Sequence, residues 1–291
     1  MNSVFLTISS LLVSLISPNK LTPNLKFFSY WQTEEPKSYW KSSDKKMEFG
    51  SGFDILDSNN KKYIKDASKI EYYDVRELYP NCEQDTYDGG NCSPVMSILS
   101  TTSLGFRRCM INGKNIKLSP GYALSCQYRT CSLGDPKRSF LYLEQHGTVS
   151  KDCFSYEFTR KIKECPKSCS DGSDLIFYKA KSGESVPVEG VDVIKNEILN
   201  NGPIAAGFIL LDGFQQFMDN YKPGDIYIQH SGRFVYWSGA ILYGWGEENG
   251  VQYFIAQSIN GKDKFDNGFF KIEVKTAAID AYGFSGIPEI E

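Results

Sequence analysis

The chain has 291 residues, enough to bury one large core or two, so it need not depend on staples to fold. Its 32 basic and 35 acidic residues leave a formal net charge of −3. No global field draws it to nucleic acid or to anionic lipid.

The N-terminus opens with an apolar stretch over residues 4–16, and the first charged side chain is Lys20. That is the length of a signal-peptide core and too short to cross a bilayer, so residues 1–17 are read as a signal peptide. No other segment is long and apolar enough for a transmembrane span. Residues 18–69 are polar and irregular, with clusters of Gly, Ser, Asn and Lys, and are read as a peripheral leader or propeptide-like segment. Eight cysteines follow, at Cys82, Cys92, Cys109, Cys126, Cys131, Cys153, Cys165 and Cys169. Behind an export signal they point to disulfides made in an oxidising compartment. A structural zinc site would want paired short spacings, which only Cys165 and Cys169 approach, so no metal or cofactor is expected.

Ser93 and Pro94 read as a helix start, with Ser as N-cap and Pro at the first helical position; Val95, Ile98, Leu99 and Thr102 then recur at helical spacing. A second helix is predicted over 136–145, closed by Gly147 after His146. A third covers 190–201, with Val193, Ile194, Glu197 and Ile198 marking its turns and Gly202 before Pro203 ending it. Beyond it the runs IAAGFILL, DIYIQH, FVYWSGAILYGWG, VQYFIAQSI and GFFKIEV read as strands, separated by turn signals at 248–250 and 260–263. The prediction is an α+β chain, with a helical disulfide-bearing lobe over 70–175 and a β-rich lobe over 176–291.

The segments YYDVRELYPNC (72–82), LSPGYALSC (118–126), NNGPIAAGF (200–208), GDIYIQHSG (224–232), GAILYGWGEENGVQYFIAQS (239–258) and DNGFFKIEV (266–274) occur in this order. Together they resemble the papain family of cysteine proteases, and within it the cathepsin B and cathepsin C branches. The resemblance implies a papain-like two-lobe fold over 70–291, with a long central helix in the first lobe, a β-barrel-like second lobe and a cleft between them. In such enzymes a thiolate at a helix N-terminus attacks, a histidine from the facing lobe carries the proton, and an asparagine orients it. A glutamine shortly before the cysteine donates to the developing oxyanion.

Laid on the family's Cys-Gly-Ser-Cys-Trp motif, DGGNCSPVMSIL (88–99) puts Cys92 on a structural cysteine and Val95 on the nucleophile. Met96 then replaces the tryptophan and Gly89 the oxyanion glutamine. A second register puts Cys92 on the nucleophile and Gly89 on the structural cysteine. The helix start favours the first, because Val95 falls in the first turn, where the dipole acts, and Cys92 before it. So does the cysteine count, since the resemblance implies the pairs Cys82 with Cys109, Cys92 with Cys131, Cys126 with Cys165 and Cys153 with Cys169, with no free thiol. The position six residues before the GWG motif, which holds the family's histidine, is Ser238. Gln257 and Ile259 stand where the family has its asparagine and a shielding tryptophan.

The chain has two histidines; His146 falls in the turn after a helix and His230 at a non-catalytic position, and both are read as structural. Valine has no lone pair to attack with, and serine has the wrong proton affinity for a base at neutral pH. The resemblance thus implies a secreted or lysosome-like pseudoprotease that binds a peptide or protein partner in its cleft. The rival is an active peptidase that uses Cys92 with an unconventional base and leaves Cys131 unpaired. A role of 18–69 as a groove-covering prosegment is compatible with either. Asn91-Cys92-Ser93 is formally a glycosylation sequon, expected to be unused because Pro94 follows and Cys92 is bridged.

Overall fold

The computed structural model describes residues 66–290 except 91, 130, 132, 133, 156, 157 and 160. The signal-peptide reading, most of the leader and Asn91 lie outside the described residues. Among the described residues there are six α-helices: α1 (Val75–Leu78), α2 (Val95–Asn112), α3 (Pro120–Ala123), α4 (Pro136–Gln145), α5 (Val191–Asn201) and α6 (Phe214–Asp219). Eight strands, β1 (Tyr73–Asp74), β2 (Val186–Val188), β3 (Ile204–Leu211), β4 (Ile226–Tyr227), β5 (Phe234–Glu248), β6 (Val251–Gln257), β7 (Phe269–Glu273) and β8 (Gly283–Ser285), form one sheet. Its order is β2-β8-β3-β5-β6-β7-β4, with β1 also on β5; β4 and β7 run parallel and the other neighbours antiparallel.

The unbroken apolar run of β3 follows from burial on both faces. Ala206, Phe208 and Leu210 join Trp245, Phe254 and Phe270 in the core of the second lobe. Ala205 faces the other way, with Ile241, Tyr243 and Phe284, into a core shared with Val95, Ile98, Leu99 and Phe106 of α2. Small residues on the sheet let the helix approach. A Cβ on Gly239 would lie 2.5 Å from Cδ1 of Leu99 and 3.0 Å from Cγ1 of Val95. β5 and β6 are joined by Asn249 and Gly250, with φ of 52° and 78°. Two positive φ values in a two-residue loop make the turn type whose twist suits a hairpin.

The start of α2 differs from the sequence reading. Ser93 adopts φ 49° rather than an extended cap conformation, Pro94 is the cap residue, and no side chain caps the helix. The N–H of Val95 instead donates to Ser93 O at 2.9 Å, in a tight turn that takes the Ser93 side chain out of capping position. At the other end Gly113, φ 71°, donates to Cys109 O in a left-handed cap. The strand expected over DIYIQH shortens to β4, because Gln229 leaves the ladder: its N–H donates to Thr276 Oγ1 and its Oε1 accepts from the Tyr227 hydroxyl.

The segments around residues 66–70 and 178–180 and strand β8 cross a simple division into lobes. Residues 66–69 were read as leader, yet Ala67 is buried and its N–H donates to Asn196 Oδ1, while Ile70 O accepts from Trp245 Nε1 at 2.9 Å. The division at 175 and 176 is crossed too. Thr148 and Tyr178 form a β-bridge, the N–H of Ala180 donates to Leu143 O, and the rings of Phe140 and Phe284 stack at 5.5 Å. Residues 67–70 thus pack on the second lobe, and Tyr178, Ala180 and Phe284 on the first.

A buried ion pair fastens the halves. Arg107 on α2 donates to Pro203 O at 2.8 Å, Gly202 O at 2.9 Å and Gly286 O at 3.3 Å, and pairs with Glu197 of α5 at 2.8 Å. Glu197 also accepts from Ser285 Oγ and Asn201 Nδ2, each at 2.9 Å. Burial opposes the Glu197 charge, but Arg107, with Asn201 and Ser285, holds its carboxyl below the usual range. All eight cysteines are bonded, as Cys82–Cys109, Cys92–Cys131, Cys126–Cys165 and Cys153–Cys169.

Candidate functional site

A groove of about 520 Å³ lies beside the N-terminal end of α2. One wall is the loop of Asp88, Gly89, Gly90, Cys92 and Ser93, together with Cys131; the other is residues 234–237 of β5, with Ile259 and Asn260. The two sides are joined by backbone hydrogen bonds. Gly89 N donates to Ile259 O at 2.8 Å, Gly261 N to Tyr87 O at 3.1 Å, and Asp88 bridges Asn260. Within the loop Ser93 N donates to Gly89 O, and Gly90 N to Asp88 Oδ1. Gly90 has φ 53°, and a Cβ there would come within 2.6 Å of Phe158 O, so only glycine fits. The Cys92–Cys131 disulfide is part of the wall.

The side chains singled out from the sequence sit below and around this groove. Val95, the first residue of α2, is 2% exposed and packs into the core that α2 shares with the sheet. Ser238 is buried on β5 next to Gly239, the residue that meets Val95. Among the described residues Ser238 Oγ has no hydrogen-bond partner. Gln257 is buried but turned elsewhere: Oε1 accepts from the Tyr243 hydroxyl at 2.8 Å, and Nε2 donates to Thr86 Oγ1 at 3.0 Å and Asp85 O at 3.3 Å. Burial pushes the Tyr243 hydroxyl far up, keeping it a neutral donor. The structure thus puts Gly89 and Cys92 in the groove wall, sets Val95 against Gly239, the neighbour of Ser238, and commits Gln257 to Tyr243 and loop 85–86.

Neither histidine reaches the groove wall. His146 caps the C-terminus of α4 with its ring 5.0 Å from that of Tyr142, and His230 lies 3.2 Å from Glu273 Oε2 on the surface. Among the described residues no cluster of three His, Cys, Asp or Glu side chains could hold a metal ion, and no helix is long and apolar enough to cross a membrane.

Residues 70–286 match the family described as papain family cysteine protease. The chain belongs to the papain family. It is similar to Cathepsin B-like CP3 of Giardia intestinalis, at 29% identity over 208 residues, which cover 69% of this chain and 68% of that protein. With Cathepsin B of Dictyostelium discoideum it shares 26% identity over 234 residues, 74% of each chain. Among solved structures, proCathepsin B S9 from Trypanosoma congolense superimposes with a TM-score of 0.67 at 25% identity, covering 76% of this chain and 78% of that one. The digestive procathepsin L 3 of Tenebrio molitor, at 18% identity and a TM-score of 0.62, shares the fold.

As a papain-family member the chain has the two-lobe α+β fold, with α2 as its central helix and the groove between helix and sheet. What sequence reasoning missed is the wall made by β5. Phe234, Val235 and Tyr236 are apolar yet half-exposed, and the ring of Phe234 meets that of Trp237 at 6.2 Å. The run FVYW reads as the start of a strand. The missing signal is pairing: β6 joins β5 only from Ile241 onward, so over 234–240 the groove-side edge of β5 has no neighbouring strand among the described residues.

Proposed function

We propose that this chain is a catalytically inactive papain-family protein that binds a peptide or protein partner in the interlobe groove. The observation that carries the reading is Val95. It begins the central helix at the groove, where a thiolate would profit from the helix N-terminus, and it offers a buried hydrocarbon. Ser238 and Gln257 complete the replaced triad and Gly89 the replaced oxyanion position, on this reading. Gln257 is held by Tyr243 and Thr86 and so does not orient a base. Against the rival enzyme, Cys92 is in a disulfide with Cys131 and has no imidazole near it.

Binding is favoured because the groove persists without its chemistry. Its β5 wall presents apolar side chains and an open strand edge, which suit an extended peptide that adds main-chain hydrogen bonds. Four disulfides and the signal-peptide reading of 1–17 support a secreted or lysosome-like compartment. The test combines turnover and labelling on the unreduced protein. Fluorogenic peptide mixtures should be left intact, a thiol-directed epoxide should not modify Cys92, and extended apolar peptides should change Trp237 fluorescence saturably. Turnover accompanied by Cys92 labelling and an unpaired Cys131 would establish the enzyme instead.

A further inference from the structure

Far from the groove, a buried cation stands without a counter-ion among the described residues. Arg108 follows Arg107 on α2, thirteen residues beyond Val95 and so about 20 Å along the helix. It is 9% exposed, and its one hydrogen bond among the described residues runs from Nη1 to Glu289 O. A guanidinium has five N–H groups, and here Nε is buried with no acceptor. No carboxylate pairs with Arg108 among the described residues; its guanidinium carbon lies 4.9 Å from the centre of the Tyr178 ring. A buried charge without an opposite charge is costly, and a buried unsatisfied donor in a native fold calls for a bound ion, a water or a strained role.

A separate cavity of about 300 Å³ adjoins it, lined by Arg108, Ile176, Phe177, Lys179 and Glu289. Lys179, whose ammonium donates to Gln145 O, brings a second positive charge, while Glu289 pairs with neither cation. Ile176 and Phe177 expose hydrocarbon at the same place. We propose that this cavity is an anion site for a carboxylate carried on an apolar body, its oxygens received by Arg108 and Lys179 and its hydrocarbon laid on Ile176 and Phe177. Charge-assisted bonds from two cations supply the recognition. The apolar lining selects an organic carboxylate over a hydrated inorganic ion, and the site is independent of what the groove binds.

The test follows the arginine Nε–H signals of the full chain, labelled with ¹⁵N-arginine, during titration with sodium benzoate at ionic strength held constant with sodium chloride. The Arg108 signal, assigned by its loss in Arg108→Lys, should move saturably while that of Arg107 stays. Lys179→Met, a change at a half-buried position, should weaken the apparent affinity about tenfold, and Glu289→Gln should tighten it. No saturable movement with benzoate would overturn the site and leave Nε to a water. Movement with inorganic phosphate alone would overturn the ligand class, and an affinity unchanged by Lys179→Met would overturn the two-cation receptor.

Discussion

Replacing Glu197 by leucine tests whether one buried ion pair holds the two lobes together. The change leaves Arg107, 1% exposed along its side chain, without the Glu197 carboxylate at 2.8 Å, and leaves Ser285 Oγ and Asn201 Nδ2 without their acceptor. Breaking a buried pair from one side costs about 3–5 kcal/mol. The low end applies, because Arg107 keeps the carbonyls of Pro203, Gly202 and Gly286. For a folded region of this size a loss of about 3 kcal/mol lowers Tm by about 6–12 °C.

The pH dependence has a definite sign. The Glu197 carboxyl is held below its ordinary value of 4.5, so its contribution is complete above that value and is lost as the pH falls below it. Thermal unfolding with disulfides intact should therefore show the full gap between wild type and variant at neutral pH, and a shrinking gap in acid. Arg107→Met with Glu197→Leu should recover most of the loss, since an apolar pair of similar volume removes the stranded charge. A single variant within about 1 kcal/mol of wild type, or a gap that ignores pH, would refute the reasoning.

The other predictions concern the groove. Replacing Cys92 and Cys131 together by serine opens a closure spanning 39 residues in sequence and should cost about 4 kcal/mol in denaturant unfolding, on the loop-entropy account. Gly239→Ala puts a Cβ 2.5 Å from Leu99 Cδ1 and 2.9 Å from Ala206 O, which should destabilise by about 1–3 kcal/mol in the same assay. Tyr243→Phe strips Gln257 Oε1 of its donor and should cost about 1–3 kcal/mol, read from the denaturation midpoint. Val95→Cys alone should yield no turnover of fluorogenic peptides, since Ser238 supplies no base; measurable hydrolysis would contradict the assignment of roles.

Long amphipathic or apolar segments were legible before the structure. Helix α4, helix α5 and strand β3 match their predicted spans closely, because turn signals at Gly147 and at Gly202 with Pro203 bound them. The two- and three-residue strands β1, β2 and β8 were not legible, since so short a pairing has no periodicity to read. Ser93 looked like a cap, yet φ is set by the loop that Cys92 and Gly89 anchor, and tertiary geometry overrode the local preference. The exposure of residues 234–236 was not legible, because hydropathy reports the side chain and not whether a strand lies beside it. The cysteine pairs came from family resemblance, as spacing alone permits many connectivities. Arg108 carried no sequence signal at all, since nothing in GFRRCM separates it from Arg107.

The position of strand β8 has a consequence for biosynthesis. Strand β8 inserts between β2 and β3, and residues 283–285 that form it follow every other strand of the sheet in the chain. Until they leave the ribosome the sheet lacks a middle member, Glu197 lacks Ser285, and Phe140 lacks the ring it stacks on. The sheet is therefore completed only after residues 283–285 have been made. A nascent chain stalled before residue 283 holds an open sheet edge and not a half-protein, and it is at that stage that the molecule most needs shielding.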